Sequence, residues 1–198
     1  MIKIIKPSQF KVIPWKNGQG ETTELAINTT GDFDHFDWRL SIATVASDGF
    51  FSDFSGYDRN LVLIEGNGIS LKYDAKQVDV LKNRLDIASF SGSCKTYGKL
   101  VNGVIKDFNI MTNNTKFSAN VYCYDEAQKV VIRLTSTSKC FAYSLTDDIA
   151  VETSTKENGL VPVRHLLELS IQDMELSGEE LVVGLTGNNM IIIELIRK

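Results

Sequence analysis

Arg39 and Arg59 are the side chains of this chain best equipped to do chemistry, and both lie in Phe36–Arg59 (FDWRLSIATVASDGFFSDFSGYDR). A guanidinium is permanently charged, and its paired N–H donors match a carboxylate in fork geometry. Arg59 stands just before the apolar run Leu61–Ile64, where a loop would meet the rim of a sheet. It would hold a small acid there, or form a structural salt bridge with Asp58 or Glu65. Strand alternation puts Arg39, Ser41, Ala43 and Val45 on one face, with Trp38, Leu40, Ile42 and Thr44 on the other. The arginine face is the smaller and more polar one, which suits a ligand cavity or exposure to solvent.

Three further segments could complete such a site. In Asp107-Phe-Asn-Ile-Met111 the same alternation groups Asp107, Asn109 and Met111. An acid beside an arginine would keep the guanidinium aimed and would lower its own pKa; otherwise it is an exposed strand acid. In Trp15-Lys-Asn-Gly-Gln-Gly20 the glycines allow close backbone approach, leaving N–H groups for an anion, and Asn17 supplies an amide. The loop serves the site or only crosses its mouth. Glu24 could fix an arginine by a charge-assisted bond. Trp15, Trp38 and Phe51 could stack on a planar ligand.

Other chemistries find less support. His35 and His165 are the only histidines, in segments far apart, so no metal is expected and none of the site residues is assigned to one. No Gly-x-Ser-x-Gly occurs, and no Cys–His pairing is suggested. The glycine loop lacks the Gly-Lys-Ser/Thr of a phosphate loop. No cofactor is expected. The net charge of -4 gives no electrostatic reason to expect nucleic acid or an anionic membrane. Cys94, Cys123 and Cys140 form no Cys-x-x-Cys pair, and their odd number fits reduced thiols. The apolar runs are far short of a membrane span and no secretory leader is evident, so the expectation is a cytoplasmic protein. A homodimer is left open.

The elements that must position these residues read as strands. Ile69, Leu71 and Tyr73 alternate with polar neighbours, as do Phe141, Tyr143 and Leu145, and Leu167, Leu169 and Ile171. Val130–Leu134, Leu181–Leu185 and Met190–Ile196 are β-branched runs that predict more fully buried strands. Turn signals separate them, among them Glu65-Gly-Asn-Gly68, Ser177-Gly178 and Thr186-Gly-Asn-Asn189. No long helical period occurs, so the fold class is all-β. Leu61–Tyr73 and Cys140–Glu152 repeat one plan of strand, turn and alternating strand. That echo predicts two barrels in tandem: residues 1–111, carrying the site, and 112–198, with Thr112–Thr115 as linker and strands exchanged across it or not.

The ordered motifs Trp15-Lys-Asn-Gly-x-Gly-x-Thr-x-Glu24, Trp38-Arg-x-Ser41, Gly49-x-Phe-Ser52, Phe54-x-Gly56-x-x-Arg59, Glu65-Gly66 and Asp107-Phe-Asn-x-Met111 resemble the HutD/Ves family. The resemblance implies two tandem cupin-like jelly-roll barrels, a bicupin, and an association with bacterial histidine utilisation. It implies that Arg59 faces the cavity and holds a ligand acid. With the residue reading, it yields a metal-independent binder of a small carboxylate, such as urocanate or a formylglutamate, that senses or regulates histidine catabolism. The ligand-binding set expected is Arg59, Arg39, Asn17, Glu24, Asp107, Asn109 and Trp38. A metal-free isomerase or hydrolase, with Asp107 or Glu24 as general base, is the alternative. A third reading is a protein-interaction module whose cavity has lost its use.

Overall fold

The computed structural model describes residues 2–15, 18, 20–28, 35–74, 77–135, 138–171 and 181–198. Apart from one short 3-10 turn at Pro7–Gln9, the regular elements among these residues are strands. They are β1 (Ile2–Ile5), β2 (Lys11–Pro14), β3 (Gly20–Ile27), β4 (Trp38–Val45), β5 (Gly49–Phe50), β6 (Tyr57–Glu65), β7 (Ile69–Tyr73), β8 (Gln77–Leu81), β9 (Ile87–Ser91), β10 (Thr96–Leu100) and β11 (Ile105–Asn113). The later half adds β12 (Phe117–Tyr124), β13 (Gln128–Leu134), β14 (Ser138–Ser144), β15 (Ile149–Thr153), β16 (Asn158–Val161), β17 (Leu166–Ser170), β18 (Leu181–Gly187) and β19 (Met190–Arg197). The predicted turn at Ser177-Gly178 lies outside the described residues.

Two compact units result, Phe10–Ser118 and Met1–Gln9 with Ala119–Lys198. The sequence reading divides the chain at 111/112. In the structure β11 runs on to Asn113 and a short turn leads to β12, which joins a different sheet, so the polar Thr112–Thr115 segment is part strand and part turn. The first residues also leave the earlier half, because β1 pairs antiparallel with β17.

The earlier unit contains a six-stranded sheet, β2-β3-β4-β11-β6-β9, and a four-stranded sheet, β5-β10-β7-β8. The later unit contains β1-β17-β14-β19-β12 and β13-β18-β15-β16. The order β4-β11-β6-β9 corresponds to β12-β19-β14-β17, and the four-stranded sheets match strand for strand. The faint sequence echo is therefore a repeated topology.

Each unit has its own core. In the earlier one Leu61, Leu63, Ile69, Leu71, Leu81 and Ile105 pack together; in the later one Cys140, Ala142, Val151, Leu167, Leu169, Val183 and Ile192 do so. The alternation expected of a half-buried sheet holds in β7, whose odd positions are buried and even ones more open. It fails in β14, where Phe141 and Ala142 are both fully buried. Strands covered on both faces carry apolar residues on both, so a period of two no longer separates inside from outside. Gly66, with φ of 101°, closes the β6–β7 turn; a β-carbon there would lie 2.6 Å from the Val104 carbonyl.

Candidate functional site

The central strands of the six-stranded sheet gather the candidate residues by register. Arg59 on β6 lies opposite Met111 on β11, which lies opposite Arg39 on β4. One row along, Leu61, Asn109, Ser41 and Glu24 stand in line across β6, β11, β4 and β3; in the next row Asp107 lies between Leu63 and Ala43. Arg39, Ser41, Arg59, Asp107 and Asn109 thus share one face. All are buried: Arg59 is 7% exposed, Asn109 5%, Arg39 3%, Ser41 3% and Asp107 1%.

Burial forces each polar group to find a partner. Arg39 Nε donates to Glu24 Oε2 at 2.7 Å. A β-bulge between Glu24 and Ala26 shifts the β3 ladder beside this pair. Arg59 Nη2 donates to Asn109 Oδ1 at 2.9 Å, and Asn109 Nδ2 donates to Asp107 Oδ1. Asn109 is therefore a relay: among the described residues Arg59 makes no direct ion pair with Asp107. Arg59 Nε and Asp107 Oδ2 are buried without a hydrogen-bond partner among those residues.

Aromatic rings surround the Arg59 guanidinium. Its Cζ lies 5.2 Å from the ring centroid of Phe51, 5.6 Å from Phe54 and 5.1 Å from Phe90. Each ring offers its negative π-face to the cation, an attraction of about 0.5–2 kcal/mol per contact. Phe90 arrives through the β6–β9 ladder, directly opposite Arg59. Phe51 and Phe54 are held by backbone bonds from Phe51 N to Thr96 O (2.9 Å) and from Phe54 N to Gly92 O (3.0 Å). Asp53 Oδ1 accepts from Ser55 N and Oγ, and Gly56 turns the chain at φ 88°. Gly98 leaves room for the Phe51 ring, which a β-carbon would meet at 2.8 Å.

Charge and burial compete here. Burial lowers the Arg59 pKa to about 10, opposed by the nearby Asp107. Burial likewise pushes Asp107 up to about 7, with Arg59 and the Asn109 bond pulling the other way. The sequence reading has the arginine lowering this acid's pKa; desolvation outweighs it because the contact is relayed.

Other expected residues fall elsewhere. Trp38 is opposite Thr112, on the sheet face away from Arg39, so it is not part of this cluster. Asn17 lies outside the described residues. Gly18 N donates to Trp15 O at 3.0 Å, closing the β2–β3 hairpin rather than facing an anion. Trp15 Nε1 donates to Thr22 Oγ1 at 2.9 Å, and its ring packs on the core. Glu65 pairs with Lys106 at 2.5 Å, not with Arg59. His165 Nδ1 lies 3.0 Å from the Val163 carbonyl, and His35 is an exposed residue of the other unit. Among the described residues no three His, Cys, Asp or Glu side chains cluster as a metal site would need. The cage rings Phe54 and Phe90 were missed; the Phe54-x-Gly56-x-x-Arg59 spacing carried a hint of the first.

A surface depression of about 520 Å³, lined by Phe50, Lys72, Asp74, Lys95 and Tyr97, opens on the other sheet. Its lysine ammonium groups are already solvated. The buried cluster is the stronger candidate, because Arg59 Nε and Asp107 Oδ2, unpartnered among the described residues, gain more from a ligand.

The HutD family profile matches residues 7–183. The chain belongs to the HutD family. An uncharacterized 21.2 kDa protein in the hutC 3′ region of Pseudomonas putida is 28% identical over 100% of this chain and 98% of its own length. Protein Ves of Escherichia fergusonii is 38% identical over 56% of this chain and 58% of its own. The solved structure of HutD from Pseudomonas fluorescens SBW25 superposes with a TM-score of 0.82, at 26% identity and full coverage of both chains. A cupin 2 conserved barrel domain protein from Leptotrichia buccalis, 8% identical with a TM-score of 0.55 over 95% of this chain and 96% of its own, shares the fold alone. This HutD-family chain is thus all-β, built of tandem cupin-like barrels. No helix among its described residues is long and apolar enough to cross a membrane.

Proposed function

We propose that this HutD-family chain binds a small organic carboxylate, without a metal, in the cup of its earlier barrel, and that binding reports on histidine utilisation. The observation that carries the reading is Arg59: a buried guanidinium within a cage of three phenyl rings, with Nε unpartnered beside the Asn109–Asp107 pair. A buried cation with an unused donor gains most from an acceptor that is itself charged. Kinship supports the choice of ligand: one relative is named for the hutC 3′ region and another is a HutD. N-formylglutamate and urocanate are the candidates of that chemistry. Arg59 grips the acid, Asn109 orients Arg59, and Arg39 with Glu24 shapes the adjoining wall.

Calorimetry of the full chain with each candidate tests this. Arg59→Ala is expected to lower affinity by about a hundredfold or more, the loss of a desolvated charge-assisted pair. Equal affinity of the variant and the parent would sink the reading.

Asp107 favours one second reading, a metal-free isomerase or hydrolase. A carboxyl raised toward neutrality suits general acid–base work, whereas Glu24 is occupied with Arg39. Product formation from a histidine-catabolic intermediate, followed by NMR at high protein concentration, would separate catalysis from binding.

A further inference from the structure

Asp107 is the least explained group in this buried cluster. Its two oxygens differ: Oδ1 accepts from Asn109 Nδ2, while Oδ2 is buried with no partner among the described residues. A bare carboxylate oxygen without an N–H donor or water is among the costliest arrangements in a protein interior; a hydroxyl in the same place costs less. The charges point the same way. Glu24 already offsets Arg39 at 2.7 Å. An ionised Asp107 would offset Arg59 as well and leave the cup without net positive charge.

Resting on the carboxylate reading above, we propose that Asp107 enters the complex as a neutral carboxylic acid and donates through Oδ2 to the bound anion, so that the site takes up an organic acid together with one proton. The ligand arrives ionised, and the proton comes from solvent and stays on Asp107; no covalent bond to the ligand forms or breaks. The two orphaned atoms, Arg59 Nε and Asp107 Oδ2, then become two donors for one acceptor group. A carboxylate, with its four lone-pair sites, accepts from both. A primary amide in its place lacks the charge that Arg59 attracts.

The charged and titratable neighbours are few. Arg59 comes from β6, Arg39 from β4 and Glu24 from β3. Tyr73 comes from β7, its hydroxyl donating to Asp79 Oδ2 at 3.0 Å, and Cys94 packs against the same core. Burial holds Asp107 near 7 in the ligand-free protein, against an ordinary value of 3.8. The sign follows. Below about pH 7 the acid is already neutral and affinity is level. Above it, each binding event must first protonate Asp107, and affinity falls about tenfold per pH unit.

The test is titration calorimetry of the full chain with N-formyl-L-glutamate from pH 5.5 to 8.5, in buffers of different ionisation enthalpy. The carboxyls of this ligand stay ionised across the range. The expected result is uptake of about one proton per site at pH 8, and none in Asp107→Asn, whose amide still donates but does not titrate. Carbon-13 NMR of the ligand-free protein gives an independent reading: the Asp107 carboxyl, assigned by its loss in Asp107→Asn, should titrate near neutrality. Binding that Arg59→Ala abolishes but that takes up no proton in the parent overturns this proposal and leaves the carboxylate reading standing. A carboxyl already ionised at pH 5.5 overturns it too. Absence of binding at every pH sinks both.

Discussion

On β6 and β11 the inward rows read Arg59 opposite Met111, Leu61 opposite Asn109 and Leu63 opposite Asp107. On the matching pair, β14 and β19, they read Cys140 opposite Glu194, Ala142 opposite Ile192 and Ser144 opposite Met190. One strand order thus encloses a hydrogen-bonded charge network in the earlier unit and a mainly apolar core in the later one, where Glu194 stays half-buried and Ser144 is the buried polar member of these rows. The difference teaches that this barrel needs no polar interior in order to close. Buried polar and charged groups commonly match, and rarely exceed, the stability of a hydrocarbon filling. Arg59, Asn109 and Asp107 therefore call for an explanation beyond folding, and Cys140, Ile192 and Met190 do not.

The comparison breaks most visibly if the apolar barrel is made polar. Met190→Asp places a carboxyl in a cluster whose buried members are all uncharged, and should lower unfolding free energy by about 3–5 kcal/mol in urea titration. A loss below 1 kcal/mol would mean that the later core already tolerates charge. The reverse exchange sharpens the contrast. Arg59→Met with Asp107→Leu makes the earlier cup resemble the later one; it should leave stability unchanged or raise it by about 1–4 kcal/mol while carboxylate binding is lost. Arg59→Met alone, which strands Asp107, should be destabilised, more at pH 8 than at pH 5. The smallest effect is expected from Phe54→Leu, which keeps apolar bulk but removes one ring of the cage. A loss of about 0.5–2 kcal/mol in the same titration is expected, and it should vanish in an Arg59→Met background if the cation is the ring's partner.

Much of this arrangement is legible in the chain. Alternation alone grouped Arg39 with Ser41 and Asp107 with Asn109, because β4 and β11 run without a bulge between them and a period of two holds along the shared ladder. The same rule places Trp38 on the other face, so a tryptophan beside an arginine in sequence proved no neighbour of it in space. Phe90 could not be read, since only the β6–β9 register brings it opposite Arg59. Phe51 and Phe54 depend on backbone bonds to Thr96 and Gly92, which no local pattern announces. The relay through Asn109 was likewise hidden: alternation shows that three groups share a face, but not which of them touch.

The edge strand β1 carries a consequence for how this molecule is made. Ile2, Lys3, Ile4 and Ile5 align with Leu169, Glu168, Leu167 and Leu166, and all their other partners in that unit also lie beyond Ser118. During synthesis the segment from Phe10 to Ser118 can condense while the rest is still being translated. The β1 isoleucines have to wait as an unsheltered apolar ribbon until the strand that receives them emerges from the ribosome. Chaperone capture or misjoining would therefore be concentrated in that interval, at Ile2–Ile5 rather than at the strand that receives them.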